Sequence, residues 1–202
     1  MQLDTPLDRL LETGTHVRIL RALADLPRGF PASGRELARR AGVSHTTAGR
    51  VLRGLEDQRV VHLQRAGRAD LYLLNEDHVL VPQVRVLFER EGGIRCQLIA
   101  YLRKELPQRI GHAEAAFLFG SAGRDQTHPG SDIDVGVVAP ERSAAEIEPA
   151  LTALADAVRD RFGSELNVLV APSGRNGHRR PKLWDRIEAD GVPLLEGARH
   201  RG

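Results

Sequence analysis

Cysteine is almost absent from this chain. Cys96 stands alone among 202 residues, which excludes an internal disulfide framework and a zinc site built from several cysteines. Aromatic residues make up only 4%, so any core must rest on Leu, Val, Ile and Ala. Lysine occurs twice against 27 arginines, so abundant arginine carries little meaning by itself. Long apolar runs are also missing. A stretch such as Ala113 to Leu118, with Glu114 inside it, is far too short to span a bilayer. Met1 to Leu11 carries Asp4, Asp8 and Arg9 and has no apolar leader core. These absences predict a soluble cytoplasmic protein with no membrane partner. The eight histidines show no pairwise metal spacing, and no Ser-His-Asp order or Cys-His nucleophile arrangement is legible.

What is present is globular in balance, with 41% hydrophobic and 28% charged residues. The length allows one medium domain or two small ones. The formal charge of +2 conceals an uneven distribution. Residues 1–90 hold 14 basic and 11 acidic side chains, whereas 91–202 hold 15 and 16. Within 33–68, eight arginines face three acids, a local +5 of the kind a nucleic-acid surface requires. Glu91-Gly92-Gly93 interrupts two helical patterns, so the expected division is 1–90 and 91–202, with the boundary near Gly92.

The first half reads as helices followed by a hairpin. Val17, Ile19, Leu20, Leu23, Ala24 and Leu26 give a broad apolar face ending at Pro27. Ser33 is placed to cap a short helix over Gly34 to Arg40, Ala41-Gly42-Val43 forms a tight turn, and Ser44 caps a third helix carrying Val51, Leu52 and Leu55. Two β-like runs follow, Val60 to Leu63 and Leu71 to Leu74, joined through Ala66-Gly67-Arg68-Ala69-Asp70. The segment Arg35 to Ser44, then Thr46 to Leu52, with the Gly67-Arg68 tip, resembles the winged helix-turn-helix domains of small bacterial transcription regulators. The resemblance covers roughly 14–75. It implies binding of double-stranded DNA, with Ser44, His45, Thr46, Thr47, Arg50 and Arg53 on the groove-facing helix and Arg68 on the wing. Residues 76–90, with Leu80, Val84, Leu87 and Phe88, predict a further amphipathic helix, which either packs within the monomer or pairs two copies as a homodimer.

The second half opens with a helix from Ile94 to Leu106, with Ile94, Leu98, Tyr101, Leu102 and Leu106 on one face and Pro107 closing it. Ala115 to Phe119 is an apolar strand leading into Gly120-Ser121, and Ser131-Asp132-Ile133-Asp134 leads into Val135-Gly136-Val137-Val138. Gly120 leaves room for a phosphate against the backbone. Asp132 and Asp134 are two apart on a strand, so both project from one face. Carboxylates at this spacing suit hard divalent cations that bridge nucleotide phosphates. The pattern Gly120-Ser121, ten residues, Asp132-Ile133-Asp134 resembles the polymerase β-like nucleotidyltransferases, particularly their minimal bacterial and archaeal branch, over roughly 94–196. The resemblance implies an α+β fold with a small mixed sheet, Mg²⁺ at a two-ion site on Asp132 and Asp134, and a nucleoside triphosphate as substrate or ligand. It also implies nucleotide contacts from Gly120, Ser121, Arg124 and Ser131.

That family adds a third carboxylate from a later strand. Here Ile147, Leu151, Leu154, Val158 and Phe162 mark the intervening helix, Gly163 ends it, and the next strand is Glu165-Leu166-Asn167-Val168-Leu169-Val170. Asn167 lies where the acid is expected, and an amide cannot act as a general base. Either Glu165, on the same face one pleat earlier, supplies the third acid, or the acid is missing. A basic segment follows, Arg175, His178, Arg179, Arg180 and Lys182, then Leu183, Trp184 and Ile187. Three functions remain open, the first two being transfer of a nucleoside monophosphate to a small-molecule, nucleic-acid or protein acceptor, and regulation of transcription by a domain that only senses nucleotide. A third is an antitoxin-like module acting on a protein partner.

Overall fold

The computed structural model describes residues 6–120, 132–140, 144–173 and 182–195. The chain is α+β. It divides into two compact units, Met1–Gly92 and Gly93–Gly202.

In the first unit the order is α1 (Pro6–Leu10), α2 (Gly14–Ala24), β1 (Ala32–Ser33), α3 (Gly34–Ala41), α4 (His45–Asp57), β2 (Val61–Ala66), β3 (Ala69–Leu74) and α5 (Val81–Gly92). Three helices start on hydroxyl caps: Thr13, Ser33 and Ser44 accept from the backbone N–H groups of His16, Glu36 and Thr47. Each cap satisfies an amide that the first helical turn leaves without a partner. Gly42 takes φ 62° at the end of α3, a conformation that favours glycine, and turns the chain directly into α4. Leu20, Leu23, Leu37, Leu52 and Leu55 are fully buried where α2, α3 and α4 meet. The strands form a sheet in the order β1-β3-β2.

Two details differ from the sequence expectation. The hairpin loop is shorter than Ala66 to Asp70: Ala66 pairs with Ala69, leaving only Gly67 and Arg68, with Gly67 at φ 62°. The helix expected from 76 begins at Val81. The Asn75 side-chain oxygen accepts from Asp77 N–H, and the His78 ring Nδ1 accepts from Leu80 N–H, so local side-chain bonds hold a turn where a helix would otherwise start. Two ion pairs then bind α5 into its unit. Arg85 pairs with Glu76 and donates to the Ala24 carbonyl at 2.6 Å. Arg21 makes a forked contact with Glu91, at 2.7 and 2.8 Å.

The second unit runs α6 (Ile94–Arg109), β4 (Ala115–Phe119), β5 (Ile133–Ala139), α7 (Ala144–Phe162), β6 (Leu166–Pro172), α8 (Lys182–Asp190) and β7 (Val192–Leu195). Its sheet has the order β6-β5-β4-β7, with β5 and β6 parallel and the other pairs antiparallel. Helix α6 continues through Pro107 to Arg109 rather than stopping before it, and Ile94 is exposed rather than on the buried stripe of Leu98, Leu102 and Leu106. Gly163, at φ 69°, follows the end of α7. One face of the sheet, with Ile133, Val135 and Val137, packs on α6 and α7 through Leu102, Leu106, Leu154 and Val158. On the other face Trp184 and Ile187 of α8 cluster with Val138 and Ala171. Gly136 makes room for them: a β-carbon there would stand 3.1 Å from both the Ile187 and Trp184 side chains. No helix among the described residues is long and apolar enough to cross a membrane.

Candidate functional site

The second unit's site lies at one end of the sheet, on the face shared with α8. Strand alternation sends Ile133 and Val135 into the helical core and leaves Asp134 on the opposite side. Register then sets the neighbours. Asp134 pairs with Phe119 of β4 on one side and with Asn167 of β6 on the other. Asp132, just before β5, accepts a hydrogen bond on Oδ2 from Asn167 Nδ2 at 3.1 Å.

Gly120 completes the arrangement. It follows β4 at φ 69°, and a β-carbon built on it would run into the Asp134 carboxylate. Conformation and space therefore both require glycine here. Burial pushes the Asp134 carboxyl above the usual carboxylate range, Asn167 opposes that rise by hydrogen bonding, and the nearby Asp132 charge adds to it. The result is two carboxylates side by side at the end of an apolar sheet, with bare backbone beside one of them.

Glu165 does not join this group. It precedes β6, is 61% exposed, and its closest ionic partner is Arg159 of α7, with Nη1 at 3.8 Å. The side chain that meets the aspartates is the amide of Asn167, at the position where the family's third acid is expected. Among the described residues no three acids, histidines or cysteines are placed to hold a metal together. Ser121, Arg124 and Ser131 lie outside the described residues, as do Arg175, His178, Arg179 and Arg180. Lys182 begins α8, and Trp184 is buried beneath the site's face rather than offered as a stacking surface. The strand glycine Gly136, which seats Trp184, escaped functional notice in the sequence. The available signal was a lone glycine inside a valine-rich strand, which marks a close approach.

In the first unit the expected DNA-facing residues separate into two kinds. Ser44 and Thr47 are engaged at the start of α4, with their hydroxyls 2.7 Å apart and Thr47 N–H donating to Ser44 at 3.1 Å. His45, Thr46, Arg50 and Arg53 are exposed on α4, and Arg68 is exposed at the hairpin tip. The local basic excess is not all available. Glu36 bonds both Arg39 and Arg40, and those guanidinium groups hold its carboxyl down at about 2. The remaining arginines of this segment are Arg35 on α3, Arg50 and Arg53 on α4, Arg59 just after it, and Arg65 and Arg68 on the hairpin. A second feature had no sequence signal: His78 is buried between β3 and α5, and its Nε2 has no hydrogen-bond partner.

A tri-helical core with a β-wing, followed by a mixed sheet bearing paired aspartates beyond a glycine turn, defines a winged helix joined to a nucleotide-chemistry fold. Family comparison agrees on both halves. The MarR family matches residues 13–69, and the nucleotidyltransferase domain matches residues 99–180. The chain is therefore a MarR-family winged helix domain followed by a nucleotidyltransferase domain. No curated protein matches the sequence. Among solved structures, a predicted DNA-binding transcriptional regulator from E. coli is 21% identical, covering 44% of this chain and 84% of that one, with a TM-score of 0.34. The antimony-specific repressor AntR is 24% identical over 46% and 76%, with a TM-score of 0.36. A toxin-antitoxin with AMP-PNP is 21% identical over 50% and 74%, with a TM-score of 0.38.

Proposed function

We propose that this protein is a DNA-binding regulator whose second domain holds a nucleoside triphosphate together with a divalent cation. The observation that carries the nucleotide half is the meeting of Gly120 with the Asp132 and Asp134 pair. Two carboxylates are hard oxygen donors and fit Mg²⁺. Gly120 sets bare backbone directly against the Asp134 carboxylate, so a phosphate bridged to the cation on that carboxylate would lie beside backbone rather than a side chain. In this reading Asp132 and Asp134 hold the cation, Gly120 and Ser121 cradle the phosphates, and Arg124 and Ser131 add charge and a hydroxyl. The cation supplies neutralisation of phosphate charge. Asn167 orients Asp132.

For the DNA half, His45, Thr46, Arg50 and Arg53 enter the major groove and Arg68 contacts the backbone or minor groove. Ser44 and Thr47 shape the start of the helix that carries them. Val86 and Leu87 are exposed apolar positions on α5, which supports pairing of two copies to read two half-sites.

Equilibrium dialysis of the full chain with labelled ATP and Mg²⁺ tests the first half. Binding is expected for the natural chain and loss of binding for Asp132→Asn/Asp134→Asn, and equal retention by both overturns the proposal. A second reading is transfer of a nucleoside monophosphate to a hydroxyl acceptor, favoured by the paired aspartates. Movement of α-label from ATP to an acceptor, absent in the same double variant, would establish it.

A further inference from the structure

We infer that Asn167 makes this a one-cation site: it holds a metal–nucleotide complex but lacks the second ion that would activate an acceptor hydroxyl. The inference rests on the nucleotide reading above and goes beyond it by assigning the cation number and the residue that fixes it.

The geometry is specific. Asn167 is in register with Asp134 across the parallel β5–β6 pair, so it occupies the third position around the aspartates. Its Nδ2 points at Asp132 Oδ2, 3.1 Å away. Whichever end of the amide faces the pair, the side chain is neutral and brings no negative charge to it. The acid nearest in sequence, Glu165, is turned toward Arg159.

Charge decides the rest. Two divalent ions in such sites stand about 3.5–4 Å apart and repel strongly unless anionic groups surround both. An ion under the triphosphate receives compensation from the phosphates. An ion on the acceptor side depends on protein carboxylates, and among the described residues no third acid joins Asp132 and Asp134. Asn167 also lies exposed on the edge strand of the sheet, so restoring an acid there disturbs no core packing.

The experiment uses the full chain in equilibrium dialysis with Mn²⁺ and a non-hydrolysable ATP analogue, reading the excess of each in the protein chamber. The natural chain is expected to retain one manganese per bound analogue, and Asn167→Asp to retain two. With ATP and a hydroxyl acceptor, Asn167→Asp should raise label transfer at least about tenfold, the effect of roughly 1.4 kcal/mol at the barrier. Two manganese ions in the natural chain, or one in Asn167→Asp, overturns the inference while leaving nucleotide binding intact. Absence of any bound analogue in the natural chain overturns the nucleotide reading and this inference with it.

Discussion

Replacing Gly120 by alanine is the sharpest test of how the second unit's site is built. The new methyl group meets two separate obstacles. Its backbone sits at φ 69°, where an L-residue with a β-carbon costs about 1–2 kcal/mol. The methyl also collides with the Asp134 carboxylate, which must swing off its rotamer at a cost of about 0.5–1.5 kcal/mol. Together the two obstacles cost about 1.5–3.5 kcal/mol. With a urea slope of about 2 kcal/mol/M, the unfolding midpoint should fall by about 1 M. The chain supplies its own reporter, because its one tryptophan, Trp184, is 5% exposed and lies in the second unit. The decisive measurement is a double-mutant cycle. In an Asp134→Ala background the collision disappears and only the backbone cost remains, so Gly120→Ala should cost about 0.5–1.5 kcal/mol less there. Equal cost in both backgrounds, or no cost in either, would refute the close approach of Gly120 to Asp134.

Other predictions address the remaining features. Arg50→Ala with Arg53→Ala should weaken DNA binding and reduce the slope of log K against log salt by about 0.9 for each phosphate that is no longer neutralised, measured by fluorescence anisotropy. Gly136→Val should destabilise the second unit by about 1–3 kcal/mol through overpacking against Trp184 and Ile187, and should red-shift tryptophan emission. Burial lowers the His78 pKa below its ordinary 6.5, so above that pH the ring is neutral folded or unfolded. As pH falls through 6.5, the unfolded chain gains a proton that the folded chain refuses, and stability declines until the folded value is passed. Thermal melts of His78→Gln should show a shallower loss between neutral and mildly acidic pH than the natural chain.

Much of this molecule was legible before any coordinates. The helix-turn-helix was readable because Ser33, Ser44 and Gly42 are local signals that act on their own helix ends, and Leu37, Leu52 and Leu55 repeat at the helical period. The Asp132 and Asp134 face was readable for a similar reason, since alternation along one strand needs no knowledge of its neighbours. Long-range facts were not. The sequence places Asn167 where the third acid is expected and Glu165 one pleat earlier on the same face, but it does not show which of the two side chains reaches the aspartates. Their difference arises from the β5–β6 register and from Arg159 on α7, which draws Glu165 away. Pro107 misled for a related reason: proline ends most helices, but packing of Leu102, Leu106 and Ile110 on the sheet carries α6 past it. The buried His78 ring left no periodic trace at all, since it fills a turn.

Two arginine contacts on α5 have a mechanical consequence. Arg85 ties the middle of that helix to the last carbonyl of α2, and Arg21 of α2 grips Glu91 one residue before Gly92. The helix is thus anchored at two points like a beam bolted to a frame, and the frame is the helix that supports α3 and α4. Both contacts fasten α5 to the helix on which α3 and α4 pack. Cutting one bolt, with Glu91→Ala, should leave the wing and the recognition helix folded and raise amide hydrogen exchange in the last turn of α5 alone.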